Sequence, residues 1–229
     1  MDYGVASEVT ASGINFANGR YRVAAPGQWS GERLFDIVVG SAGLIVAAPI
    51  LVAAAVLIWL QDGGSIIYTQ TRVGKDGVPF CLFKFRTMRL DADACLVDLR
   101  ASDPRVDLEW RQFQKLRNDP RITPIGALLR RCCIDELPQL LNVLLGEMSI
   151  VGPRPIAADQ IVDYGRSLQS YAMVRPGLTG LWQVSRGRSP SFRGRVAADR
   201  LYLRRKSFLR DLWIILRTVP VVVLGRGCH

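Results

Sequence analysis

"LFDIVVGSAGLIVAAPILVAAAVLIWL" occupies Leu34–Leu60, and how it is read decides the fold. From Ile37 to Leu60 no residue is charged. A run of that length approaches the roughly 20 apolar residues needed to cross the hydrocarbon core of a bilayer. It begins too far into the chain to be a cleavable signal peptide. Pro49 falls near its centre, where a missing amide donor and a clash with the preceding turn predict a kink. Two topologies follow. One is a kinked helix that spans the bilayer, since membrane helices tolerate proline. The other is a re-entrant hairpin broken at Pro49 that dips into one leaflet and returns. The flanking charges do not choose between them: Arg20, Arg22 and Arg33 precede the run, and Arg72 and Lys75 follow it.

Outward from this run, residues 1–31 are small, polar and without period, and read as a loosely ordered tail; 32–62 take in the apolar run and 63–229 form the domain that follows it. The net charge of +10 in 229 residues points to an anionic partner: lipid, nucleic acid or a phosphorylated substrate. Five cysteines without CxxC spacing read as reduced thiols rather than a disulfide frame or zinc site. The single histidine, His229, is the last residue, which excludes triad-type hydrolysis at an ordered imidazole. Chemistry here has to use carboxylates, cations and an oxygen-liganded metal.

"SIIYTQTRVGKDGVPFCLFKFRTM" predicts a β-hairpin with Asp76-Gly77 at the turn. Lys84 and Arg86, two apart, are expected on one face and Phe83 and Phe85 on the other. A solvated strand face would account for the two cations equally well. Leu90–Asn118 is charge-rich and helical in pattern, interrupted at Asp103-Pro104. "LRRCCIDELPQLLNVLLGEMSIVGPRP", Leu129–Pro155, sets Asp135 and Glu136 at a helix start, with Pro138 in the first turn and Gly146 at the end. Capping of that helix is the plain reading of such acids. It does not explain Arg130 and Arg131 upstream, nor Arg154 fixed between Pro153 and Pro155 downstream. Phosphoryl transfer does: a carboxylate can attack phosphorus once cations, and a divalent ion held by an acid, offset the anionic charge. In that setting the helix start and the cations are expected to keep Asp135 ionised.

"KFRTM", the Leu129–Pro155 stretch, "RPGLTGLWQV" and "DRLYLRRKSFLRDLWIILRT" follow one another in an order that resembles the bacterial sugar transferase family, the monotopic phosphoglycosyl transferases, and within it the small ExoY-like enzymes of exopolysaccharide synthesis. The resemblance covers Glu32 to about Pro220. It implies a small α/β, membrane-associated domain with a re-entrant helix broken at Pro49, a β-hairpin and several interfacial amphipathic helices, on the cytoplasmic face of the bacterial inner membrane. It further implies that Asp135 takes a hexose phosphate from a UDP-sugar, galactose first and glucose next, with release of UMP, and passes it to undecaprenyl phosphate. Glu136 would hold Mg2+. Lys84, Arg86, Arg130, Arg154 and Arg175 would contact substrate. The partners are then the UDP-sugar, undecaprenyl phosphate and inner-membrane lipids, with a homo-oligomer open and nucleic acid not expected. Two stretches depart from the family pattern: Arg186 shifts the register against Arg188, and "RKS" stands at Arg205–Ser207 where relatives carry "NWS". Leu201, Leu203, Phe208, Leu212, Trp213 and Ile214, mixed with Arg204, Arg205, Lys206 and Arg210, fit a basic amphipathic helix on an anionic surface.

Two other classes remain on the residues alone. A non-catalytic membrane-surface scaffold accounts for charge and apolar run but not for the order of "DELP" and "GPRP". Nucleic-acid binding is permitted by charge, yet the basic residues form no recognisable binding fold.

Overall fold

The computed structural model describes residues 31–113, 116–185 and 191–223; the expected tail and the Arg186/Arg188 register lie outside them. Helix α1 (Gly31–Asp62) is followed by an antiparallel hairpin, β1 (Ile67–Val73) and β2 (Pro79–Phe85). Its loop turns at Asp76 and Gly77, both at positive φ (57° and 73°), as the Asp-Gly pair predicts. Helices α2 (Ala92–Ser102) and α3 (Pro104–Phe113) divide at the anticipated Asp103-Pro104. Next come α4 (Pro124–Arg131), α5 (Gln139–Leu145), β3 (Ser149–Val151), α6 (Ile161–Tyr164), α7 (Ser167–Ala172), β4 (Gly177–Thr179), α8 (Leu181–Ser185), α9 (Phe192–Arg204) and α10 (Phe208–Val223). β3 and β4 form a short parallel pair. There the backbones of Gly152 and Gly177 approach too closely to admit a Cβ on either, which is why both are glycine.

The main core joins Phe80 and Leu82 of β2, Leu140 and Val143 of α5, Met148, Ile150, Leu181, Tyr202 and Ile214. One helix therefore clasps the hairpin to the parallel pair. Asn142 fastens it: fully buried, it accepts from the Phe83 amide at 3.0 Å and donates to the Cys81 carbonyl and to Glu147 Oε2, each at 2.7 Å. A buried amide with all these groups satisfied fixes the register of strand against helix.

α1 departs from expectation in one way. It continues through Pro49 rather than dividing there. The apolar flanks supply enough helix-forming residues to carry the helix past one lost hydrogen bond. It also packs against the remainder of the chain. Near its start, Arg33 donates to the carbonyls of Val143 (2.5 Å) and Leu144 (2.6 Å), and Asp36 accepts from the Ile150 amide and the Ser149 hydroxyl. Near its end, Ala54 and Ile58 pack with Phe85 and Leu129, and Asp62 pairs with Arg86. Between these moorings Ile45, Val46, Ile50 and Val52 stand exposed, as does Pro49. The helix is long and apolar enough to cross a membrane, yet only 17% of its most apolar window is buried.

The single basic amphipathic helix expected around Leu201–Ile214 is two helices. α9 stops at Arg204 and α10 starts at Phe208. Tyr202 and Ile214 are drawn into the core, whereas Phe208, Leu209, Leu212, Trp213 and Leu216 are exposed along α10. Among the cysteines, Cys81, Cys95 and Cys132 are free thiols as expected; Cys133 is disulfide-bonded, contrary to that expectation.

Candidate active site

α4 starts where Thr123 Oγ1 accepts from the Gly126 amide at 2.9 Å, with Pro124 in the first turn. It ends at Arg131, and Cys133 then takes a left-handed conformation (φ 54°), rare for a residue with a Cβ and common where function dictates the backbone. That reversal throws Ile134–Glu136 into a single 3-10 turn before α5. The acidic pair is thus carried on a tight turn between two helices.

Capping is not its task. Pro138 occupies the N-cap of α5, and no side chain bonds the amides there. Instead Glu136 Oε1 accepts from Lys84 Nζ and from an Arg154 guanidinium nitrogen, both at 2.8 Å. Burial alone would raise the Glu136 carboxyl, but Arg154 and then Lys84 outweigh it and hold the group well below the usual carboxylate range. Arg154 is raised in return, chiefly by Glu136.

Asp135 is 8% exposed and makes no hydrogen bond among the described residues. Burial pushes its carboxyl upward; Lys84 opposes, Glu136 adds to the rise, and Arg130 and Arg154 oppose more weakly. Desolvation thus outweighs the nearby cations in setting the direction of the shift. Two adjacent acids whose affinities for a proton are pushed apart are suited to two different roles.

Of the other residues singled out from sequence, Lys84 (side chain 20% exposed) and Arg154 (32%) meet on Glu136. The solvated-face reading of Lys84 thereby fails. Arg130 donates from Nε to Thr87 Oγ1 at 2.8 Å and lies within electrostatic reach of Asp135. Arg86 does not join them. β2 ends at Phe85, and Arg86 turns to the end of α1, buried against Asp62. Arg175 donates from Nε to the Gly146 carbonyl at 2.8 Å, at the opposite end of α5 from the acids. Together with Arg33 it satisfies the last carbonyls of α5, where cations are favoured.

Sequence reading missed Arg195. Its guanidinium, 6% exposed, donates to the carbonyls of Arg154 (2.8 Å) and Pro155 (3.4 Å) and lies over the rings of Tyr164, Trp182 and Phe192. Behind it Asp199 accepts from the Tyr164 hydroxyl at 2.7 Å; burial pushes the Asp199 carboxyl up to about 6. This clamp fixes the segment that delivers Arg154 to Glu136. The i, i+4 spacing of Arg195 and Asp199 on a helix was the only local signal.

Magnesium takes oxygen ligands and is commonly held by one or two carboxylates, with substrate phosphates and water completing its shell. The Asp135 carboxylate and Glu136 Oε2, neither hydrogen-bonded among the described residues, fit such an ion. A cage of three or more acids, cysteines or histidines does not occur among the described residues.

The bacterial sugar transferase profile matches residues 27–225. The chain belongs to that family. It is 43% identical over 198 residues to the exopolysaccharide production protein ExoY of Sinorhizobium fredii, covering 86% of this chain and 88% of the relative. It is 41% identical over 201 residues to the undecaprenyl-phosphate galactose phosphotransferase of Salmonella typhimurium, covering 86% of this chain and 41% of that protein. With the UDP-glucose:undecaprenyl-phosphate glucose-1-phosphate transferase of Caulobacter vibrioides it shares 42% identity over 197 residues, 82% of this chain and 68% of the relative. As a bacterial sugar transferase, the chain shares its family with enzymes named for moving sugar phosphates onto a lipid carrier.

Proposed function

We propose that this sugar transferase moves a hexose 1-phosphate from a UDP-sugar, galactose first and glucose next, to undecaprenyl phosphate through an aspartyl-phosphosugar intermediate. The observation that carries the reading is the contrast within the acidic pair. Glu136 is tied to two cations; the Asp135 carboxylate, buried beside it, is left without a hydrogen bond among the described residues and with its proton affinity raised. A carboxylate of raised basicity is the better nucleophile once it is ionised.

In the first step an Asp135 oxygen attacks the sugar-bearing phosphorus. The bond from that phosphorus to the bridging oxygen breaks, its electron pair leaves with UMP, and no proton has to move. Lys84, Arg154 and Arg130 offset the charge on the phosphoryl oxygens, and Glu136 keeps Lys84 and Arg154 aimed. In the second step an oxygen of the isoprenoid phosphate attacks the same phosphorus and returns Asp135 as a carboxylate. A magnesium ion held by Glu136 and Asp135 would supply further charge neutralisation on the phosphates.

α1 supports attachment to the cytoplasmic face of the inner membrane, with both of its flanks on one side. Its two ends are moored to the same body, while the apolar middle around Pro49 and the exposed face of α10 are free to meet lipid.

The test is Asp135→Asn. It is expected to abolish both UMP release and the trapping of a labelled phosphosugar on the protein. Wild-type turnover by that variant would sink the covalent route.

A further inference from the structure

The cations around the acidic pair outnumber what the pair can neutralise. Lys84, Arg130, Arg154, Arg72 and Arg195 cluster about Asp135, Glu136 and Asp199, with Asp159 acting on Arg72 from outside. Most are accounted for. Lys84 and Arg154 hold Glu136, Arg130 bonds Thr87, and Arg195 clamps two carbonyls.

Arg72 is not accounted for. On β1 it stands opposite Phe80, four pairs along from Tyr68 opposite Lys84. Opposed residues in an antiparallel pair share a face, and residues two apart stay on it, so Arg72 emerges on the face that bears Lys84. One guanidinium nitrogen donates to Gln70 Oε1 at 2.5 Å. Its Nε is buried without an acceptor, and it forms no ion pair among the described residues. Burial and the neighbouring guanidiniums of Arg154 and Arg195 lower its proton affinity, against Asp159 and Tyr68. Gathering half-buried like charges costs stability, and such arrangements persist at sites that receive a compensating ion.

Its place in the cluster indicates which ion. Lys84 bonds Glu136, and Arg72 stands on the same face four pairs further along the hairpin, so it lies further from the acidic pair than Lys84 does. Arg154, which also bonds Glu136, acts electrostatically on both Asp135 and Arg72. We propose that Arg72 binds the second phosphate of a nucleoside diphosphate donor, the one that departs with the nucleotide. This rests on the phosphoryl-transfer reading given above. As the bond between the two phosphates breaks, negative charge grows on the departing phosphate, and a planar guanidinium can take two of its oxygens at once.

Equilibrium binding of UDP, UMP and uridine to the full chain in lipid nanodiscs tests this, in an Asp135→Asn background so that nothing turns over. Adding Arg72→Gln is expected to weaken UDP and UMP by about ten- to a hundredfold, the range for losing a hydrogen bond to a charged group, and to leave uridine unchanged. Arg72→Lys, which keeps the charge and loses the fork, is expected to fall between. Unchanged UMP affinity in Arg72→Gln would overturn the assignment alone, as would an equal loss for uridine, the mark of a structural defect. If the background protein binds no uridine nucleotide at all, the donor reading falls and this assignment with it.

Discussion

Glu136 Oε1 takes Lys84 and Arg154 at the same distance, 2.8 Å, so a strand of the hairpin and the Pro-Arg-Pro segment are locked through one oxygen. Removing Arg154 leaves that oxygen to Lys84 and releases the main influence holding Glu136 low. Arg154→Gln is expected to lower kcat/KM by about a hundredfold, the scale for losing one charge-stabilising donor. The acidic limb of the pH–rate profile should also move to higher pH, because Arg154 opposes the rise of the Asp135 carboxyl as well as holding Glu136 low, and both are lost as anions sooner without it. An unchanged acidic limb would show that neither carboxyl depends on this contact.

Asn142 is the fastener between α5 and β2, and its truncation strands the Phe83 amide, the Cys81 carbonyl and Glu147. Asn142→Ala is expected to cost at least about 3 kcal/mol, since each of the three groups left unsatisfied costs about 1–3. Thermal unfolding in nanodiscs reads the loss. A melting temperature within a degree of wild type would mean that the amide carries no such load.

Asp199 offers a pH signature. Its carboxyl is raised to about 6 from an ordinary 3.8, so the folded state holds the proton more tightly than the unfolded chain does. Stability from this group is therefore greatest below the unfolded value and declines as pH rises from about 4 to about 6. Asp199→Asn should remove that decline, whatever it does to absolute stability. A stability–pH slope in the variant equal to wild type over this window would contradict the burial argument.

Both ends of α1 bond the same body, through Arg33 and Asp36 on one side of Pro49 and Asp62 on the other. Single cysteines placed at Gly31 and at Ser65, in a chain otherwise free of reactive thiols, should label from the same face of sealed inverted vesicles. Labelling from opposite faces would establish a span.

Much of this was legible in the sequence because it is local. The Asp-Gly turn, the division at Asp103-Pro104 and the glycine ending α5 each follow from what one or two residues do to φ and ψ. The acidic pair and Arg154 were visible as a charge pattern that capping left unexplained. Arg86 and Arg175 went elsewhere for reasons no short window contains: one strand ended a residue early, and one helix needed its last carbonyls satisfied. Arg195 and Arg72 were invisible because their meaning is long-range. Arg195 acts on a carbonyl 41 residues away, and Arg72 matters only once β1 lies beside β2 and brings it onto the face of Lys84. The rise of Asp135 was missed for a related cause, since desolvation depends on everything packed above it.

Arg33 closes the far end of the short helix whose near end carries the acidic turn, and Gly40 and Gly43 let α1 settle against the Leu140, Val143 and Leu144 side chains of that helix. The greasy N-terminal rod is therefore a strut of the proposed reaction centre as well as its proposed mooring in lipid. Trimming it away to obtain a freely soluble catalyst would remove a wall of the workshop, and efforts to simplify this enzyme should keep the rod and alter only its outward-facing side.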